Sequence, residues 1–322
     1  MNEKVFEILQ NSNDYISGQE ISKKLNVSRQ AVWKAINALK EQGFTIDSVT
    51  NKGYKIIDYP KALNKQVLDN ILETKFIGKN MIVLQTTGST NDYLKTLSHK
   101  GCENGTVAAA REQTSGKGRL GRKWVSEKDE NIYFSVLLRP QLSPMEVSGI
   151  TPVAGLAVCK AIREFCNIDC KIKWPNDVIV NNKKLVGILT EMSAEFDAVE
   201  FIVIGIGINI DQTDFPEEVK SKATSLFLET GNKPDKNKFL ALVLKHLEDE
   251  LTKSNYKINE TNLEDYKNLC ATIGRKVTCC KGNSRIQGTA VNVNTKGELE
   301  VKTEDNSVIT VNSGEVIIQG IY

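Results

Sequence analysis

The run Gly116-Lys117-Gly118-Arg119-Leu120-Gly121-Arg122-Lys123-Trp124 alternates three glycines with four cations and closes on a tryptophan. Glycine lets a backbone turn sharply and approach a ligand with no Cβ in between. Successive N–H groups in such a loop make an anion-binding concavity. Lys117, Arg119, Arg122 and Lys123 add full charges to it. The chemistry these residues suit is the handling of phosphate or carboxylate oxygens. Like charges repel, so the run is expected to be poorly ordered until an anion pins it. An exposed basic hairpin is the plain alternative for a lone run of this kind.

Three other stretches carry groups of the same character. Ser89-Thr90-Asn91 is expected where a strand, Met81-Ile82-Val83-Leu84, gives way to a helix from Asp92 to about Ser98. The free N–H groups of such a corner suit an anion or a polar ring, and a plain N-cap would explain the residues too. Lys171 to Val180 alternates like a strand, but Pro175 must interrupt its ladder. Trp174, Asn176 and Asp177 cluster at that interruption, and Lys184 to Glu191 returns as the paired strand with Lys184 near the break. Gly205-Ile206-Gly207-Ile208-Asn209 lies in a buried strand whose glycines allow close approach.

Scarcity is informative as well. There are two histidines, His99 and His246, and seven scattered cysteines without a pair of CxxC elements. A Ser-His-Asp or Cys-His mechanism and a zinc site are not expected from such a set. The thiols read as the reduced cysteines of a cytosolic chain.

The elements that must position these groups follow from periodicity. Thr106 to Ala110 and Ile132 to Leu138 are strands, so the glycine-basic run should join two strands at a sheet edge. Pro144 to Phe165 reads as one long helix, with Val147, Ile150, Val153, Leu156, Val158, Ile162 and Phe165 as core. Residues 237–269 read as helical. From Ile273 onward, short strands separated by turns at Lys281-Gly282-Asn283, Lys296-Gly297 and Asp305-Asn306 predict a barrel-like module of five or six strands.

At the other end, Val5, Ile8 and Leu9 mark a short helix, and Ser17 or Gly18 starts a second one containing Ile21 and Leu25. Asn26-Val27 turns the chain. Ser28 caps a third helix that buries Val32, Ile36 and Leu39 and stops at Gly43. This is helix–turn–helix grammar, which places Ser28, Arg29, Gln30 and Lys34 at DNA base edges. The hairpin turning at Asn51-Lys52-Gly53 resembles a wing, with Lys52 and Lys55 set to touch phosphates. The whole chain, 42 basic against 40 acidic residues, is nearly neutral, so any DNA contact must be local. Its 322 residues allow two or three domains. No apolar run is expected to approach the roughly 20 residues that span a bilayer, and the N-terminus lacks signal-peptide character. A cytoplasmic location with no membrane contact is the expectation.

Taken in order, the winged-helix start, Ser89-Thr90-Asn91, the Gly116–Trp124 loop, Lys173-Trp174-Pro175-Asn176-Asp177, Lys184-Leu185-Val186-Gly187-Ile188-Leu189 and Gly205-Ile206-Gly207-Ile208-Asn209 closely resemble the family of bifunctional biotin–protein ligases and biotin operon repressors. The resemblance covers nearly the whole chain, and the loop and the KWPND run carry most of its specificity. It implies an α+β chain. A winged helix–turn–helix DNA-binding domain occupies 1–60, a linker and the start of the ligase domain 61–80, a mixed-sheet catalytic domain of the biotin/lipoate ligase type 81–269, and a small SH3-like β-barrel 270–322.

The resemblance also implies ATP-dependent formation of biotinyl-5′-AMP and transfer of biotin to a lysine of a biotin carboxyl carrier protein, with biotin and ATP as substrates and Mg2+ as the metal. Lys184, Arg119 and Asp177 would be catalytic, Asp177 also facing magnesium. Ser89, Thr90, Asn91 and Gln113 would contact biotin, and Gly116, Lys117, Gly118, Arg119, Arg122, Trp124, Asn176, Lys184 and Gly187 would complete the site for biotinyl-AMP. Regulation would come from a homodimer formed on biotinyl-AMP binding and seated on operator DNA. One departure is plain: the usual GRGR is here Gly116-Lys117-Gly118-Arg119, and lysine keeps the charge without the bidentate fork.

Three rival readings remain. The KWPND run and the winged helix weigh against a lipoate–protein ligase. Lys184, Arg119 and Asp177 weigh against a repressor that senses the adenylate without ligating. A ligase without DNA-binding activity stays open, because residues 1–58 carry eight Lys/Arg against seven Asp/Glu.

Overall fold

A computed structural model of the chain describes residues 1–195, 197–281, 284–312 and 314–321. The chain divides into two compact units, Met1–Ile71 and Leu72–Tyr322.

The first unit holds α1 (Asn2–Gln10), α2 (Gly18–Leu25), α3 (Arg29–Glu41), the hairpin β1 (Thr45–Val49) and β2 (Gly53–Asp58), and α4 (Lys65–Ile71). Ser17 Oγ accepts from Glu20 N at 3.1 Å to start α2, and Ser28 Oγ accepts from Ala31 N at 3.1 Å to start α3. Asn26 between them is left-handed, with φ 52°. This conformation is tolerated by asparagine, and it turns the chain in one residue. The apolar stripe Val32, Ala35, Ile36 and Leu39 packs with Val5, Phe6, Leu9 and Ile21. Burying each large member contributes about 1.5–3 kcal/mol relative to exposure. The wing is tied back by Ile16, whose N–H and C=O both bond Tyr54. Gly53 is obligatory at this crossing, since its φ is +115° and a Cβ would lie 2.1 Å from Ile16 O.

The second unit is built on a seven-stranded mixed sheet. In chain order it supplies β3 (Met81–Leu84), α5 (Thr90–Ser98), β4 (Val107–Ala110), β5 (Ile132–Leu138), α6 (Ile150–Cys166), β6 (Lys171–Lys173), β7 (Asp177–Val180), β8 (Lys183–Glu195) and β9 (Ala198–Ile208). The sheet order is β3-β4-β5-β9-β8-β7-β6, with only β3 and β4 parallel. The short helices α7 (Glu217–Lys220) and α8 (Leu226–Thr230) precede the longer α9 (Lys236–Lys253) and α10 (Glu260–Leu269). Every residue of β5 is buried, as the run of seven apolar or small residues requires of a strand covered on both faces. The last strands, β10 (Lys276–Lys281), β11 (Ser284–Val293), β12 (Leu299–Lys302), β13 (Val308–Val311) and β14 (Glu315–Ile318), form a five-stranded antiparallel sheet in the order β13-β12-β11-β10-β14. Gly282 and Asn283 of the expected first turn lie outside the described residues.

Several expectations are corrected. The stretch 144–165 is a 3-10 turn, Pro144–Gly149, followed by α6. The two segments meet at Gly149, where a Cβ would stand 3.1 Å from Ile258 N. Together they are long and apolar enough by composition to cross a membrane, contrary to expectation, yet 72% of that window is buried inside the protein. Apolar character all round marks a core helix as well as a membrane span. The region 237–269 is two helices, separated where Asn255 and Tyr256 take positive φ. The interrupted strand at Pro175 is a full reversal, because β6 and β7 pair antiparallel with Lys173 opposite Asp177. The glycine-basic loop does join neighbouring strands, β4 and β5, but β3 lies outside them.

Candidate functional site

The ends of β4, β8 and β9 and the start of α5 surround a cleft of ≈ 460 Å³, its mouth included. Its lining unites Ser89, Thr90 and Asn91; Gln113, Lys117, Gly118, Arg119 and Trp124; Asn176, Lys184 and Gly187; and Gly205 to Gly207.

One end is neutral and fully tied. The helix α5 begins at Thr90, two residues earlier than its sequence indicated, and Ser89 makes no side-chain cap bond. Gln113 does the capping instead. Its Oε1 accepts from Thr90 N at 2.9 Å and from Thr90 Oγ1 at 3.2 Å, while its Nε2 donates to Ser126 Oγ at 2.9 Å. Ser135 Oγ on β5 lies 2.7 Å from Thr90 Oγ1 and 2.6 Å from Asn91 Oδ1. Asn91 Nδ2 donates to Glu191 Oε2 at 2.7 Å. Gly205 is required beneath it, because a Cβ there would meet Asn91 Oδ1 at 2.1 Å.

The other end is charged. The loop folds into a strap in which Gly118 N donates to Arg122 O at 2.7 Å and Trp124 N to Gly116 O at 2.9 Å. A Cβ at Gly116 would sit 2.3 Å from Trp124 O, so this glycine permits the crossing and is not itself part of the lining. Arg119 Nη1 donates to Asn176 Oδ1 at 2.9 Å, and its Nη2 to Gly314 O at 3.1 Å. Burial pushes the Arg119 guanidinium below its ordinary value, and Asp177 opposes that shift. Lys184 Nζ lies 2.7 Å from Asp177 Oδ1 and 5.4 Å from the Trp124 ring centre. Lys117 pairs with Asp92 at 2.6 Å. Burial tends to raise the Asp92 carboxyl, but hydrogen bonds from Lys117 and Lys95 outweigh it and hold the group low. Arg122 turns to Glu315 at 2.5 Å and, like Asp177, stands outside the lining. A second hollow shares Arg119, Asn176, Ile188 and Leu189 with the cleft, so these residues form a partition.

Trp124 lies on the sheet over two glycines. Added Cβ atoms would meet its ring at 2.6 Å from Gly187 and 2.5 Å from Gly207, and its Nε1 makes no hydrogen bond. Among the described residues, no group of three His, Cys, Asp or Glu converges to hold a metal.

In the first unit Arg29, Gln30, Lys34 and Lys52 are exposed, while the Ser28 hydroxyl is engaged as the α3 cap.

Residues 83–209 match the model of the Biotin/lipoate A/B protein ligase family, residues 2–55 an HTH domain, and residues 272–318 the biotin protein ligase C-terminal domain. The bifunctional ligase/repressor BirA of Bacillus subtilis is 35% identical over 302 residues, covering 92% of this chain and 92% of that protein. The chain belongs to the biotin protein ligase family. BirA of Escherichia coli is 29% identical over 318 residues, 98% of this chain and 96% of its own. A biotin protein ligase from Aquifex aeolicus, solved in complex with biotin and ATP, superposes with a TM-score of 0.65 at 34% identity, over 74% of this chain and 98% of that one.

Against this family background, sequence reasoning overlooked several neighbours of the cleft. Ser126, Ser135 and Glu191 hold the neutral end together, and Phe134 lines the cleft. Ser135 could have been noticed as the one small polar residue in a strand of large aliphatic and aromatic side chains. Lys173, first residue of the KWPND run, is only 8% exposed. Burial pushes its ammonium down to about 8, with Asp177 opposing the shift and Lys184 adding to it.

Proposed function

We propose that this chain is an ATP-dependent biotin–protein ligase that also represses transcription in response to biotin. The observation that carries the reading is a single cleft with a neutral, hydrogen-bonded end and a cationic end. An uncharged ring fits the first and a phosphate the second. The relatives bearing both activities in their name span nearly the full chain, and the HTH match supports the DNA-binding half. The first unit, the catalytic sheet and the final sheet would then serve as DNA-binding, ligase and C-terminal domains of a cytoplasmic protein.

In this reading Ser89, Thr90, Asn91 and Gln113 receive biotin, leaving its carboxylate toward Lys184 and Arg119. That carboxylate attacks the α-phosphorus of ATP, and the bond to the β-phosphate oxygen breaks to release pyrophosphate. Lys184 and Arg119 stabilise the negative charge that grows on the α-phosphate oxygens. Preorganised donors act most strongly where charge develops. Asn176 orients the Arg119 fork, and Gly187 leaves room for Trp124 to pack on the adenylate. A lysine amine of the acceptor carrier protein then attacks the acyl carbon and AMP leaves. Lys117, Gly118 and Arg122 belong to the strap that closes over the intermediate.

Magnesium would arrive with the triphosphate, since it is held mainly by substrate phosphates and one or two carboxylates. Asp177, paired with Lys184 beside the cleft, is the carboxylate that would join it, and the ion would neutralise phosphate charge. Ordering of the strap by biotinyl-AMP would complete a homodimer surface for operator binding.

Pyrophosphate exchange into ATP tests the reading, with biotin, lipoate or octanoate as the carboxylate. Exchange with biotin alone is the expected result. Exchange with lipoate would move the chain to the sister activity. No exchange at all would leave a sensor without ligase chemistry. Sedimentation with and without biotinyl-AMP tests the dimer, and an unchanged monomer–dimer balance would remove it.

A further inference from the structure

We propose that Trp33 on α3 reads a thymine methyl group in the DNA major groove. The inference rests on the DNA-binding reading and names what it recognises.

The helix α3 has one buried face, Val32, Ala35, Ile36 and Leu39, all at 2% exposure or less. The opposite face presents Arg29, Gln30, Trp33 and Lys34 to solvent. At i, i+3 and i, i+4 spacing these side chains are surface neighbours. Trp33 is 55% exposed, whereas Phe6, Ile21, Ile36 and Leu39 of the same unit are at 1% or less. An aromatic this large is a major source of buried area when a partner covers it. From Ser28 to Lys40 the chain carries Arg29, Lys34 and Lys40 and no acid. Such a surround fits a polyanion lined with phosphates.

The wing adds to that fit. Lys52 and Lys55 lie 6.0 and 5.9 Å from the Tyr15 ring, whose hydroxyl bonds Asp47 at 2.6 Å. Two cations are thereby held on one side of the hairpin, where they can grip the backbone and fix the register of the helix.

In that register Arg29 and Gln30 can make hydrogen bonds to base edges, and an indole face cannot. The apolar feature on the floor of the major groove is the C5-methyl of thymine. Wedges that unstack bases enter from the minor groove, which a recognition helix does not occupy. Trp33 follows Gln30 by three residues, about 4.5 Å along the helix axis. That is a little over one base-pair step of roughly 3.4 Å. The methyl should therefore belong to a base pair next to the one that Gln30 reads.

The test is selection from a random-sequence duplex pool by the full chain in the presence of biotin and ATP. The wild type should select a motif with one invariant thymine in each half-site. Replacing that thymine by uracil in one half-site keeps the pairing and removes one methyl. Wild-type affinity should then fall about fourfold, the value of one buried methyl. Trp33→Ala should bind thymine and uracil duplexes equally, and Trp33→Phe should keep part of the discrimination. Unchanged wild-type affinity for the uracil duplex would overturn the proposal, and this arm needs no variant. So would full discrimination by Trp33→Ala. A wild type that selects no sequence would remove the DNA-binding reading, and this inference with it.

Discussion

The two ends of the cleft are held in opposite ways. At the neutral end Ser89, Thr90 and Asn91 are at most 4% exposed, and Gln113, Ser135 and Glu191 fix Thr90 and Asn91 in place. At the charged end the side chains of Lys117 and Arg122 remain 46% and 64% exposed, each paired with one acid. Exposed pairs of that kind contribute only about 0–1 kcal/mol. The neutral end is thus preorganised for shape. The strap over the charged end is held by weak pairings that a polyphosphate can take over at little cost, while Lys184 and Arg119 beneath it are tied to Asp177 and Asn176.

The largest effect expected from this contrast is at Lys184. Replacing Lys184 by Ala should lower pyrophosphate exchange by roughly 10²–10³-fold, the usual cost of one preorganised donor. Biotin binding measured by calorimetry should move far less. An equal loss in both would show that the ends are not separate.

Gly205→Ala should do the reverse. The new methyl would displace Asn91 from 2.1 Å and break its bonds to Ser135 and Glu191. Unpairing a buried polar group costs about 1–3 kcal/mol, or roughly 5- to 150-fold. The loss should fall on the KM for biotin with the KM for ATP retained, and a shift in ATP alone would contradict the assignment.

A smaller effect concerns pH. Lys173 titrates at about 8 in the folded chain because it is buried, against about 10.4 when unfolded. Below about pH 8 both states are charged, and the folded state carries the burial cost. Between pH 8 and 10.4 the unfolded state holds more protons, so stability rises with pH. Denaturant midpoints of the wild type, relative to Lys173→Met, should climb across that window, and parallel curves would refute the coupling. The least change is expected for Arg122→Ala, whose exposed pair with Glu315 should be worth about 0–1 kcal/mol of unfolding free energy.

Local grammar was legible wherever one residue type carries one conformation. Ser28 caps its helix, Asn26 turns the chain, and the strands Met81–Leu84 and Ile132–Leu138 end where alternation and apolar runs end. What was hidden depends on partners distant in sequence. Gln113 caps α5 from 23 residues away, a contact that the local run Ser89-Thr90-Asn91 does not show. The long apolar stretch from Pro144 did not reveal its change of pitch at Gly149, where the backbone of Ile258 passes close. Ser135, inside a buried strand, gained meaning only when Asn91 was seen beside it. The cationic loop was visible because charge and glycine accumulate in one run. The acids that pair with it, Asp92 and Glu315, come from two other places in the chain.

Beneath both ends, the surface is made of Gly187, Gly205 and Gly207, which leave the space that Asn91 and Trp124 fill. This part of the binding surface is written in main chain, and main chain has no rotamers. A wall residue can be exchanged and its neighbours can lean to absorb the change. A methyl on the floor meets Trp124 or Asn91 at 2.6 Å or less and has nowhere to go. Inherited changes of ligand preference should therefore accumulate along the walls, while the floor stays closed to gradual drift.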